Sequence, residues 1–158
     1  MKNFTHINEN GQATMVDVSE KQASLRTAVA RSTVVMPEDI IEQLILDNLN
    51  TKKGAVFQTA IIAGVMAAKK TGELIPLCHP LGLDSCKINI HINEQKEIII
   101  DCATTIHAKT GIEIEALMGA SIAALTIYDM CKALSKDIVV KETKLIEKTG
   151  GKHDFKRA

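Results

Sequence analysis

A strand, two helices, two strands joined by a short turn, a long helix and a closing strand make up the element order predicted by this 158-residue sequence. Reduced to βαββαβ with hairpin-joined middle strands, this is the ferredoxin-like arrangement, an α+β fold in which an antiparallel sheet carries helices on one face. Three observations predict it. Residues 25–36, LRTAVARSTVVM, are rich in β-branched side chains. Residues 86–93 alternate Cys86, Ile88, Ile90 and Ile92 with Lys87, Asn89, His91 and Asn93, which gives one buried and one wet face. Residues 108–136 carry apolar positions at helical spacing, interrupted only by Gly119.

Taken in order, residues 1–14 are polar and turn-rich and read as a mobile arm ending in a short extended segment, residues 15–18. Pro37 stops the first strand and starts a helix over residues 38–49, with Ile40, Ile41, Leu44, Ile45 and Leu49 on one side. The polar run 50–54 leads directly into a second helix, in which Ala60, Gly64 and Ala68 leave a groove of small residues for a close neighbour. Lys52 and Lys53 sit beside that helix's N-terminus, where solvation is the ordinary role and a phosphate contact the sharper one. Pro76 and Pro80 then hold Leu77, Cys78 and His79 in a stiff, non-helical path. A histidine held this way either faces a cleft or bonds a backbone carbonyl.

The hairpin strands turn through residues 94–96, and the second runs over residues 97–108. The long helix has Glu113 and Glu115 in its first turn and Lys132 and Lys136 in its last, the order favoured by the helix dipole. Leu117, Ala120, Ala124, Ile127, Cys131 and Leu134 form a seam for the core. A second series, Glu115, Met118, Ile122, Leu125, Asp129, Lys132 and Lys136, is apolar in the middle and charged at both ends, and calls for cover by another subunit. Asp129 and Lys132, three apart, can pair. Residues 137–149 supply the last strand or strands, and residues 150–158 read as a mobile tail.

Composition sets the outer limits. The length suits one domain over residues 1–158, and 46% apolar residues suffice for a core. Lys plus Arg equals Asp plus Glu at 19 each, so no net charge draws the chain to nucleic acid or a membrane. With no Trp, three Phe and one Tyr, base-stacking platforms are not expected. No signal peptide or bilayer-spanning segment is evident, and a cytoplasmic location is expected. Cys78, Cys86, Cys102 and Cys131 lack CxxC spacing and read as buried thiols; Cys78 and His79 with Cys86 and His91 lack the paired spacing of a zinc site. Neither a metal nor a cofactor is expected.

The runs THIN (residues 5–8), MVDVS (15–19), KG-VF (53–57), A-IAG--AAK (60–69), LIPLCHPL (74–81), KTG-E-EAL (109–117), ALTIYDMCKA (124–133) and GGK--DF (150–155) closely resemble the MoaC family of molybdenum cofactor biosynthesis, the cyclic pyranopterin monophosphate synthases. The resemblance spans nearly the whole chain. It departs at Ile114, where methionine is usual, at Ala108, where glycine usually precedes KTG, at Met118-Gly119, where Thr-Ala is common, and in a tail one residue short of GGKSGDF.

The resemblance implies a lyase that converts 3′,8-cyclo-7,8-dihydroguanosine 5′-triphosphate to cyclic pyranopterin monophosphate with loss of diphosphate. It also implies a ferredoxin-like fold and a homohexamer built as a trimer of dimers. By motif match, Leu77, Cys78, His79, Ile114 and Glu115 carry over as substrate contacts and Asp129 as the catalytic residue; Lys53, Lys132, Lys148 and Arg26 match further pocket positions. A triphosphate needs cations, and Lys53, Lys132, Lys148 and Lys152 supply them without a Walker loop. Purine-to-pterin rearrangement needs general acids and bases, and a lysine among lysines loses its proton more easily, so Lys53 or Lys132 would serve with Asp129 orienting it. The other reading is a non-catalytic nucleotide-binding or assembly module on the same scaffold.

Overall fold

The computed structural model describes residues 7, 8 and 10–158. Half of the THIN run, Thr5 and His6, therefore lies outside the described residues, as does half of the expected N-terminal arm. Eleven elements follow: β1 (Ser24–Val35), α1 (Glu38–Leu46), β2 (Asn50–Thr51), β3 (Gly54–Ala55), α2 (Val56–Lys69), α3 (Thr71–Leu74), β4 (Ser85–Ile92), β5 (Ile98–Ala108), α4 (Glu113–Cys131), β6 (Val139–Thr149) and β7 (Phe155–Lys156). The main sheet has the order β4-β5-β1-β6-β7, antiparallel throughout. This is the ferredoxin-like arrangement with an added edge strand, since the segment expected as a loose tail turns back to pair Phe155 with Lys148.

Several boundaries differ from expectation for identifiable reasons. Helix α1 ends at Leu46 rather than at residue 49, because Asn48 and Leu49 take left-handed φ values of 52° and 59°. Residues 50–55 form a small hairpin, β2–β3, turning through Lys52 and Lys53, and Gly54 at the start of β3 has a φ of 110° that suits glycine. Lys52 and Lys53 thus sit on a turn, ahead of α2 rather than in it. Helix α4 is shorter than residues 108–136, with Lys132 as its C-terminal cap residue; Lys136 and the exposed Leu134 fall beyond it. By length and composition α4 could cross a bilayer, contrary to the sequence reading, yet half of it is buried and it is the core helix.

Ala120, Ala124, Ile127 and Cys131 on α4 are fully buried, as the seam requires. The core gathers along this helix in two clusters, one around Val34, Ile100, Ala123 and Ile127, the other around Ala30, Cys102, Ala116 and Ala120. Small residues let α2 approach: a Cβ at Gly64 would stand 2.7 Å from the Gly119 carbonyl oxygen and 2.4 Å from Ile88 Cδ1. The groove read from Ala60, Gly64 and Ala68 is real, and all three are buried. The second α4 series faces outward, with Met118 and Ile122 half-buried and Leu125 53% exposed. On α2, Ile62 and Met66 are likewise exposed, at 61% and 53%.

Because the Gly119 carbonyl cannot rotate away, Gly64→Ala must push the helices apart, and overpacking of this kind costs about 1–3 kcal/mol. Gly82→Ala, where a Cβ meets nothing within 4 Å, serves as the control. Urea unfolding is expected to show a lowered midpoint for Gly64→Ala and a near-unchanged one for Gly82→Ala; equal midpoints would refute the close-approach account.

Candidate active site

At the N-terminal end of α4, the 75–83 loop, the extended segment 15–19 and the 109–111 turn enclose a cavity of about 310 Å³. Its lining includes Leu77, Cys78, His79, Ile114 and Glu115, all five expected there, together with Val16, Val18, Lys21 and Glu113. Both readings of His79 hold at once: it lines the cavity, and its Nε2 lies 2.8 Å from the Val16 carbonyl oxygen. A carbonyl only accepts, so Nε2 carries a proton, which leaves Nδ1 as the acceptor of the neutral ring. Lys109 Nζ donates to the Ser19 carbonyl at 2.7 Å, so segment 16–19 is tied down at both ends.

Glu115 is 3% exposed although it stands in the first turn of a helix. The dipole there favours the carboxylate, but desolvation is the larger effect and raises its pKa, with Glu113 adding repulsion. Cys78 is raised as well, first by burial and then by Glu115. Glu115 and Cys78 thus both hold their protons more firmly than the free groups do.

Next to it lies a second cavity of about 510 Å³, lined by Lys21, Arg26, Lys109, Lys148, Lys152 and His153 with Glu113 as its one carboxylate among the lining residues described. Arg26 donates to the carbonyls of Ala108 and Lys109 at 3.3 and 3.4 Å, so it braces the turn into α4 as well as charging the basin. Lys148 pairs with Glu113 at 2.9 Å. Gly150, at φ 83°, brings the tail against β1 so closely that a Cβ would fall 1.9 Å from the Leu25 carbonyl oxygen, and this contact carries Lys152 to the basin. Lys21 lines both cavities, yet it lies in a segment without periodicity, and the sequence reading missed it. Glu113 was read only as a dipole acid, and nothing in the sequence indicates its partner.

The remaining candidates, Asp129, Lys53 and Lys132, meet at the other end of α4. Asp129 accepts from Lys53 at 2.8 Å through Oδ2 and pairs with Lys132 at 2.6 Å through Oδ1. Lys53 Nζ also donates to the Asp129 backbone carbonyl at 2.9 Å, placing a cation on the last turn of the helix as the dipole prefers. Beside them, Gln43, Asp47, Asn50, Thr51, Lys52, Lys53, Met130, Ala133 and Leu134 line a cavity of about 740 Å³.

The bonds from Lys132 and then Lys53 lower the Asp129 pKa from 3.8 to about 2. A depressed carboxylate contributes stability that is present above pH 3.8 and lost only as pH falls through about 2, so Asp129 is ionised at any working pH. The reciprocal effect raises Lys132, contrary to the expectation that a lysine here loses its proton more easily; the hydrogen bond and charge of Asp129 outweigh desolvation, the one effect that lowers it.

The site residues thus fall into two groups. Leu77, Cys78, His79, Ile114, Glu115, Arg26, Lys148 and Lys152 gather at the start of α4, and Asp129, Lys53 and Lys132 at its end. Glu115 and Asp129 are 14 positions apart in this helix, or ~21 Å at 1.5 Å per residue. One chain does not bring them together.

Residues 15–151 match the MoaC family. The chain is 55% identical over 155 residues to the molybdenum cofactor biosynthesis bifunctional protein of Synechocystis sp., and 50% over 166 to molybdenum cofactor biosynthesis protein 1 of Dictyostelium discoideum. It covers only 45% and 26% of those longer proteins, with 96% and 94% of its own length aligned. The cyclic pyranopterin monophosphate synthase of Xanthomonas axonopodis pv. citri is 48% identical over 152 residues, covering 96% of this chain and 92% of that one. With both the family match and this relative spanning nearly its full length, the chain belongs to the MoaC family.

Proposed function

We propose that this protein is a cyclic pyranopterin monophosphate synthase, a lyase that converts 3′,8-cyclo-7,8-dihydroguanosine 5′-triphosphate to cyclic pyranopterin monophosphate and diphosphate in molybdenum cofactor biosynthesis. The single observation that carries the reading is the division of complementary chemistry between the two ends of α4, with an exposed apolar stripe between them. The basin of Arg26, Lys148 and Lys152 suits a triphosphate, the Leu77–Glu115 pocket a heterocycle with donors and acceptors, and the Asp129, Lys53 and Lys132 group suits proton transfer. Purine-to-pterin conversion moves protons on and off ring nitrogens. Cyclic phosphate formation needs a sugar hydroxyl to lose its proton and attack phosphorus while diphosphate leaves. Lys132, held cationic by Asp129, fits the proton donor or charge stabiliser in these steps, and Asp129 fits the group that holds it in place.

The working unit in this proposal is a pair of chains. Two copies of α4 packed antiparallel about a two-fold axis near Ile122 and Ala123 would cover the Met118, Ile122 and Leu125 stripe. They would set Glu115 of one chain by Asp129 and Lys132 of the other, giving two equivalent pockets per dimer. Three such dimers make the hexamer, acting in the cytoplasm on a small-molecule substrate and without nucleic acid, membrane or cofactor. Residues 1–158 form one domain in this reading.

Asp129→Asn keeps size and loses charge. Its activity, followed as oxidised pterin formed in a coupled reaction with the radical enzyme that supplies the substrate, is expected to fall about 10²–10⁴-fold. Its assembly state and thermal unfolding should remain near wild type, because exposed ion pairs contribute little to stability. Wild-type turnover in a correctly assembled variant would remove Asp129 from the catalytic group.

Co-refolding Glu115→Ala with Lys132→Ala, each inactive alone, tests the shared pocket. Random pairing puts both lesions in one pocket of each mixed dimer and leaves the other intact, so about a quarter of wild-type activity should return. No recovery despite subunit mixing, verified by native mass spectrometry, would mean that each chain builds its own site.

A further inference from the structure

Away from the two half-sites, Cys86 and Cys102 form a sulfur pair that the proposed chemistry does not use. Cys86 stands on the edge strand β4 and Cys102 on its neighbour β5, where the register pairs Cys86 with Thr104 and Ile88 with Cys102. The two cysteines are therefore diagonal neighbours, both packed in the core cluster under the N-terminal half of α4. Their Sγ atoms are 3.9 Å apart.

Their access to solvent differs. Cys102 is 0% exposed, with its sulfur filling the space beside Gly119, where a Cβ would come within 2.5 Å of it. Cys86 is half-buried and lines a separate cavity of about 300 Å³ with Val65, Lys69, Leu81, Leu83, Asp84 and Ser85. One thiol can thus meet a small solute while the other waits behind it. The electronic bias runs the same way: the Cys102 thiol donating to Cys86 lowers the Cys86 pKa, and that bond together with burial raises Cys102. Reactivity follows thiolate character and access together.

We propose that Cys86 and Cys102 are a two-electron oxidation site, at which hydrogen peroxide enters through the Lys69–Cys86 cavity and leaves the pair joined as an intrachain disulfide. The Cys86 thiolate attacks peroxide, the O–O bond breaks, and Cys86 becomes a sulfenic acid with hydroxide released. The Cys102 sulfur then attacks the Cys86 sulfur, the S–O bond breaks, and the Cys102 proton and the departing oxygen leave as water. The two thiols lose two electrons in all, and one peroxide is reduced to two waters.

The sulfurs must close from 3.9 Å to about 2 Å. Strand β4 can supply the movement, because among the described residues it pairs with β5 alone and stands at the edge of the sheet. Closure draws Cys102 from its seat beside Gly119, in the seam where α2 and α4 meet. Cys78 is an internal comparison: it too is half-buried, but burial and Glu115 raise its pKa, and among the described residues no other thiol is in hydrogen-bond contact with it.

The test is peptide mapping of the intact wild-type protein after titration with hydrogen peroxide. The expected product is a Cys86–Cys102 cross-link, two hydrogens lighter than the dithiol, formed before Cys78 reacts and reversed by dithiothreitol. Cys102→Ser should form no cross-link and should let Cys86 proceed to sulfinic acid; Cys86→Ser should leave Cys102 unoxidised. Sulfinic acid at Cys86 of the wild type with Cys102 still reduced would overturn the proposal, as would preferential oxidation of Cys78 or cross-links only between chains. The wild-type map decides the matter even if a variant fails to fold.

Discussion

The close approach of α2 and α4 at Gly64 and Gly119 is the constraint on which the rest of the architecture depends. This core has little aromatic bulk, so it is built from aliphatic side chains and many alanines. Thin side chains leave space only if backbones come near, and the two glycines permit that. Once α4 is seated, its outward stripe, the loops at its start and the acid at its end all have determined positions.

Opposite electrostatic problems arise at the two ends of this helix. Glu115 has the dipole in its favour and burial against it, and burial wins. Asp129 is in the last turn, where the dipole disfavours an anion, and two lysines reverse the balance. Lys53 does so from another part of the chain, bonding both the carboxylate and the carbonyl behind it. Ionisation is thereby made harder for the carboxyl at one end and easier for the carboxyl at the other. A reaction that shifts protons and handles a polyanion can use both.

What the sequence reveals and what it hides divide along physical lines. Long-period signals survive translation into structure: the alternation in β4, the α4 seam from Ala120 to Cys131 and the Ala60, Gly64, Ala68 groove appear as read, while Leu134 at the seam's end does not. Short elements do not announce themselves, because two-residue strands such as β2, β3 and β7 carry no periodicity. Helix ends set by left-handed residues, as at Asn48 and Leu49, also escape propensity arguments. Contacts between distant positions are hidden most completely. Nothing local pairs Lys53 with Asp129, 76 positions on, or His79 with Val16. Family motifs supplied the candidate residues without their grouping; the fold shows that eight gather at one end of α4 and three at the other.

The two ends of α4 also turn one helix into a ruler. In the paired-chain arrangement each pocket spans two copies of the same 14-residue interval, so its dimension is counted in helical rise rather than in loop length. A single residue added within that interval would advance everything beyond it by 1.5 Å and rotate it by about 100°, swinging Asp129 off the outward face toward a flank of the helix. Because symmetry repeats the error, both pockets would fail at once and neither could compensate for the other.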